Sequence, residues 1–254
     1  MFHPAKDGHS RGAVLYVHPF AEETNKSRRM AALQCRAMAA AGYDLLQIDL
    51  QGCGDSGGDF GDATWQAWLE DLLEGYSCLR KLSQAPLILW GLRAGCLLAS
   101  ELAAKLPERV NFVFWQPVVA GKPHWQQFMR LGMASELASG QAKAIGEKLR
   151  TALASGKSIE IAGYTVSPAL VEGLESAELA PPLGGQGTVL WFETSLRDEA
   201  SIAPVSERFI DRWRGAGYVV QPQLVRAPAF WLTTEIEDAP ELLDATLMAL
   251  GELS

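Results

Sequence analysis

Two hydrophobic rhythms alternate along the chain. Short, mainly apolar runs at Ala13–Val17, Tyr43–Leu50, Pro86–Leu92, Val110–Val119, Thr188–Glu193 and Tyr218–Val225 have the length and composition of buried strands. Between them lie stretches with helical spacing. Met30, Leu33, Ala37, Met38 and Ala41 form one stripe, ended by Gly42. Over 62–82, Trp65, Trp68, Leu69, Leu72, Tyr76 and Leu79 repeat at three and four, with Glu70, Asp71, Glu74 and Arg80 facing away. Further helices are predicted for Leu97–Lys105, for Pro204–Arg214 with Gly215 as cap, and from Asp238-Ala239-Pro240 onward with Leu242, Leu243, Thr246, Leu247 and Leu250 inward. Strand alternating with helix predicts an α/β fold, a mostly parallel central sheet covered by helices on both faces.

The alternation breaks between Gly121 and Pro181. Two amphipathic stretches, 123–138 and 141–155, are followed by a hairpin-like Ser158–Tyr164 and a short helix after Pro168. Strand and helix then resume. The expected organisation is a core of 1–120 and 182–254, interrupted by a helical lid insertion at 121–181 over the carboxyl ends of the strands, where open α/β sheets bind ligands.

Composition narrows the partners. The 254 residues carry 22 basic and 30 acidic side chains, a net charge of −8, which disfavours nucleic acid and anionic membrane. No apolar run reaches spanning length and the first residues have no secretory pattern, so a cytoplasmic protein without membrane insertion is expected. The four cysteines, 35, 53, 78 and 96, are scattered, which fits reduced thiols better than a disulfide frame or a metal site. No metal or cofactor is expected. A protein partner or a homodimer stays open.

The chemistry concentrates at Pro86-Leu87-Ile88-Leu89-Trp90-Gly91-Leu92-Arg93-Ala94-Gly95-Cys96, a strand turning sharply into a helix between two glycines. This is the frame of the nucleophile elbow, G-x-S-x-G, with arginine at its centre. Together with the loop Asp49-x-x-Gly52-x-Gly54-x-Ser56-x-Gly58 and the inserted segment, it resembles the α/β-hydrolase superfamily. Three further stretches extend the likeness. They are His18-Pro19-Phe20-Ala21-Glu22-Glu23 with Asn25, Lys26, Arg28 and Arg29; Trp90-Gly91-Leu92-Arg93; and Pro228-Ala229-Phe230-Trp231 with Glu235-Ile236-Glu237. In these the chain resembles the second hydrolase-like family associated with exosortase A, which implies a genomic setting among exopolysaccharide and PEP-CTERM sorting genes rather than a reaction.

The mechanism of that superfamily needs a nucleophile, a later acid and a late histidine. Arg93 stays protonated and cannot attack a carbonyl. The histidines are 3, 9, 18 and 124, and none follows the strand at 188–193; Phe230 or Trp231 stands where one is expected. Glu193 and Asp198 are the residual acid candidates. The reading is a pseudoenzyme-like site in which Arg93 at a helix N-terminus holds a small anionic or acylated ligand, with Leu92, Ala94, His18, Phe20, Glu22, Asn25, Trp115 and Trp231 around it. Two alternatives stand beside it. Arg93 instead pairs with an internal carboxylate such as Glu22, Glu193, Asp198 or Glu235, or an unconventional nucleophile such as Cys53, Ser56 or Cys96 runs a hydrolase or acyltransferase.

Overall fold

The computed structural model describes residues 1–6, 8–132 and 142–253. Its centre is a seven-stranded sheet ordered β1-β3-β2-β4-β5-β8-β9. The strands are β1 (Phe2–His3), β2 (Ala13–Val17), β3 (Asp44–Gln47), β4 (Leu87–Leu92), β5 (Val110–Trp115), β8 (Thr188–Thr194) and β9 (Val219–Val225). Every pairing is parallel except β1 on β3. The β1 edge was not visible in the sequence, because two residues carry no periodicity.

The central strands are buried on both faces, which is why they read as continuous apolar runs. On one face, Val14, Tyr16, Ile88, Trp90, Val113, Trp115, Leu190 and Phe192 pack with α1 (Glu22–Ala40) and the final helix α8 (Pro240–Gly251). On the other, Phe112 and Phe114 stack edgewise on Trp213 of α7 (Pro204–Gly215), at 5.0 and 5.5 Å between ring centres. Gly75 of α2 (Trp65–Leu82) sits against the side chains of Ile48 and Leu15. The helix α3 (Gly95–Ala103) follows β4 directly.

Several expected boundaries move. The strand from Val110 ends at Trp115, because Gln116 turns the backbone to φ +42°. Tyr43–Leu50 shortens to Asp44–Gln47, and the helix expected over 62–82 begins at Trp65 after a short 3-10 turn at Phe60–Asp62. Gly215 is not the cap of α7 but its last residue; the left-handed position is Gly217 at φ +98°. Gly42, at φ +90°, does follow α1 as expected.

The chain divides into two compact units. The larger holds residues 1–48, 73–119 and 179–254, and so contains the sheet. The smaller joins 49–72 to 120–178. It contains α4 (Gly121–Gly132), α5 (Ala142–Ala154), a hairpin of β6 (Ile159–Ile161) and β7 (Tyr164–Val166), and α6 (Pro168–Ser176). The expected 123–138 and 141–155 stretches become α4 and α5, with 133–141 outside the described residues. The glycine loop belongs with this unit for a steric reason: a side chain on Gly173 would strike Trp65, one on Gly61 would strike Thr165, and Phe60 stacks on Tyr164 at 5.1 Å.

Candidate functional site

The strand-to-helix tip is built by exclusion. A Cβ on Gly95 would lie 2.3 Å from the Val17 carbonyl oxygen and 2.6 Å from that of His18. One on Gly91 would lie 2.7 Å from Cys96 Cα. Only glycine fits at either place, so β4 turns sharply into α3 with residue 93 at its point. Arg93 takes φ +54°, a left-handed conformation that costs a non-glycine residue about 1–2 kcal/mol. Its backbone is fixed on both sides: its N–H donates to Trp115 O at 3.0 Å, and its carbonyl accepts from Cys96 at 3.1 Å and Val118 at 3.2 Å.

Two other non-glycine residues near this tip are left-handed, Ala21 at φ +50° and Gln116 at φ +42°. Ala21 precedes α1, whose first turn brings Glu23 inward. Gln116 is held by its own N–H to Phe192 O at 2.7 Å and by its side-chain Oε1, which accepts from Thr194 N at 2.8 Å. The strain therefore concentrates where three loops converge on one side chain.

The Arg93 guanidinium lies between them. Its Nε donates to Glu23 Oε1 at 3.1 Å and its Nη1 to Gln116 O at 3.3 Å. The Trp231 ring lies 5.4 Å from its Cζ, a cation–π arrangement. The pair is nearly dry, the side chains being 12% and 6% exposed. Burial pushes the Glu23 carboxyl above the ordinary carboxylate range and the Glu22 charge adds to this, while Arg93 and, more weakly, Lys26 pull it back. Nη2 makes no hydrogen bond among the described residues. The guanidinium is thus partly engaged from within and has donors left over.

The sequence candidates distribute unevenly around this pair. Trp231 touches Arg93, and Leu92 and Ala94 flank it on the chain. His18 is buried, its Nδ1 2.8 Å from Pro19 O and 3.4 Å from Thr24 Oγ1, so its imidazole is tied to its own loop. Phe20 is buried beside it in sequence and Asn25 is exposed on α1. Glu22 is half-buried; the carboxylate that reaches Arg93 is its neighbour Glu23. Helical phase decides between the two, and the sequence placed both in one polar cluster. Trp115 lies in the core layer and donates to Thr246 Oγ1 at 2.9 Å, so it is a packing residue rather than a pocket wall.

Both acid candidates are occupied elsewhere. Glu193 is buried; its Oε1 accepts from Trp191 Nε1 at 3.1 Å and its Oε2 from Ala203 N at 3.0 Å. Exposed Asp198 accepts from Arg226 Nη1 at 2.6 Å. Neither contacts Arg93 among the described residues. Cys96 is fully buried, and burial raises its thiol well above the ordinary value, which removes its nucleophilic form. Among the described residues no group of three or more histidine, cysteine, aspartate or glutamate side chains is placed to hold a metal.

A seven-stranded, nearly all-parallel sheet in this order, with a strained residue between glycines after its central strand, defines the α/β-hydrolase class. The chain belongs to the serine aminopeptidase S33 family, whose model matches residues 8–180. Comparison with curated proteins finds no match. Among solved structures, Est1E from Butyrivibrio proteoclasticus with bound ferulic acid aligns at TM-score 0.62 and 14% identity, over 99% of this chain and 92% of that one. The metagenome-derived lipolytic enzymes LipS and LipT align at TM-score 0.60 and 17% identity, over 99% and 96%. Mouse alpha/beta hydrolase domain-containing protein 10 aligns at TM-score 0.54 and 16% identity, over 99% and 91%. At these identities the likeness speaks to the fold alone.

Proposed function

We propose that the protein uses the hydrolase elbow as an anion anchor, holding a small carboxylate or acylated ligand at Arg93 instead of cleaving an ester. One observation carries this reading: a guanidinium stands at the strand-to-helix tip, at a helix N-terminus that favours negative charge, with Nη2 unengaged among the described residues. Glu23 is then an internal substitute for the ligand. It takes Nε, the Gln116 carbonyl oxygen takes one Nη1 hydrogen, and Nη2 is left for an oxygen of an incoming anion. Ferulic acid, the molecule named in the Est1E structure, is itself a carboxylic acid. The work of such a protein would fall in the exosortase A and exopolysaccharide setting that its sequence resembles.

Calorimetric titration of the intact protein with acetate, benzoate and phosphate tests this. Saturable binding is expected, strengthened by Glu23→Ala and abolished when Arg93→Met is combined with Glu23→Gln. Esterase turnover of a p-nitrophenyl ester that disappears in Arg93→Ala would overturn it. The family match favours a second reading, a hydrolase or acyltransferase with an unconventional nucleophile. A fluorophosphonate or iodoacetamide adduct at Cys53 or Ser56, coupled to turnover, would establish that reading.

A further inference from the structure

The smaller unit contains a cavity of about 870 Å³ between α4, α5 and α6, lined among the described residues by side chains of that unit. The size falls within the range of small-molecule sites. Trp125 and Met129 of α4, Leu153 of α5 and Val171 of α6 supply an apolar wall, and three of these four are buried. The charged side chains around it are sorted by helix. Lys122 and Arg130 of α4 and Arg150 of α5 are cationic; Glu172 and Glu175 of α6 are anionic. Lys122 and Arg130 are eight residues apart, about 12 Å along the helix.

None of these five charges makes an ion pair among the described residues. Opposite charges around one cavity that do not neutralise each other leave its two sides at different potentials. In a chain whose net charge is −8, the α4–α5 side is a local cationic edge beside an apolar trough.

We propose that this cavity binds a monomeric acyl acid, its chain along Trp125, Met129, Leu153 and Val171 and its carboxylate on the side of Arg130 and Arg150. Carboxylates on α6 repel the head group from the opposite wall, so the molecule has one orientation. This site is separate from Arg93 and does not depend on the anchor reading.

The test is titration of the intact protein with octanoate, decanoate and dodecanoate below their micellar concentrations. Affinity is expected to rise by up to about fourfold per added methylene. Arg130→Glu with Arg150→Glu, both exposed, should weaken dodecanoate at least tenfold, and Leu153→Trp, which narrows the trough, should weaken it as well. The titrations are run in the Arg93→Met, Glu23→Gln background, so that a carboxylate held at the elbow does not contribute, and saturable dodecanoate binding is expected there. The proposal is overturned by any of four results: affinity independent of chain length; no effect of charge reversal; dodecylamine bound as tightly as dodecanoate; or loss of binding in the Arg93 double variant. Sedimentation with phosphatidylglycerol vesicles, in the absence of dodecanoate binding, would also overturn it in favour of a membrane surface.

Discussion

At the residue scale the decisive fact is that Arg93 and Glu23 are each other's counter-charge in a dry place. Removing one member of a buried pair leaves the other uncompensated, so Arg93→Ala is expected to cost about 3–5 kcal/mol. Replacing both, Arg93→Met with Glu23→Leu, should cost much less or nothing, because the desolvation of both charges is relieved together. Urea denaturation of the single and double variants measures the difference. Glu23 also sets a pH dependence. Its native carboxyl holds the proton above 4.5, the ordinary value, so between that pH and its native value the folded state binds more protons than the unfolded chain. Its contribution is complete below 4.5 and is lost as pH rises through the native value. The stability of the wild type minus that of Glu23→Gln should therefore fall with rising pH; a difference that is flat or rises would contradict the assigned cause. The arginine was legible as a break in G-x-S-x-G. Its partner was not, because choosing Glu23 over Glu22 depends on the phase at which α1 leaves the strained Ala21.

At the element scale the turn from β4 into α3 is held by what cannot fit. Gly95→Ala places a methyl 2.3 Å from the Val17 carbonyl oxygen, a backbone atom that has no rotamer by which to move aside. A loss of at least about 3 kcal/mol is expected, read as a fall in Tm. Ala21→Gly should act in the opposite direction, by roughly 1 kcal/mol, because φ +50° strains alanine and not glycine. If it destabilised the protein instead, strain at this loop would be the wrong account. Both glycines of the elbow were readable as punctuation between an apolar run and a helix. The positive φ at Ala21 and Gln116 was not, since neither residue type signals a left-handed turn; at Gln116 hydrogen bonds to Phe192 and Thr194 of β8 hold it.

At the scale of the whole molecule, the smaller unit draws on two distant parts of the chain. Cutting out 121–178 alone would strip Phe60 of Tyr164 and Trp65 of the α6 face that covers it. Such a deletion is expected to bind a hydrophobic dye and aggregate, whereas a self-sufficient core would remain monomeric by size-exclusion chromatography. The sequence by itself determined the α/β alternation, the parallel sheet, the elbow and the arginine at its point, because these follow from local periodicity and from the steric demands of glycine. It did not determine that the glycine loop joins the inserted segment, that Glu193 and Asp198 are bound to other partners, or that Glu23 closes on Arg93. Those depend on which residues distant in sequence are brought within a few ångströms of one another, and burial decides that only once the sheet and its helices are assembled.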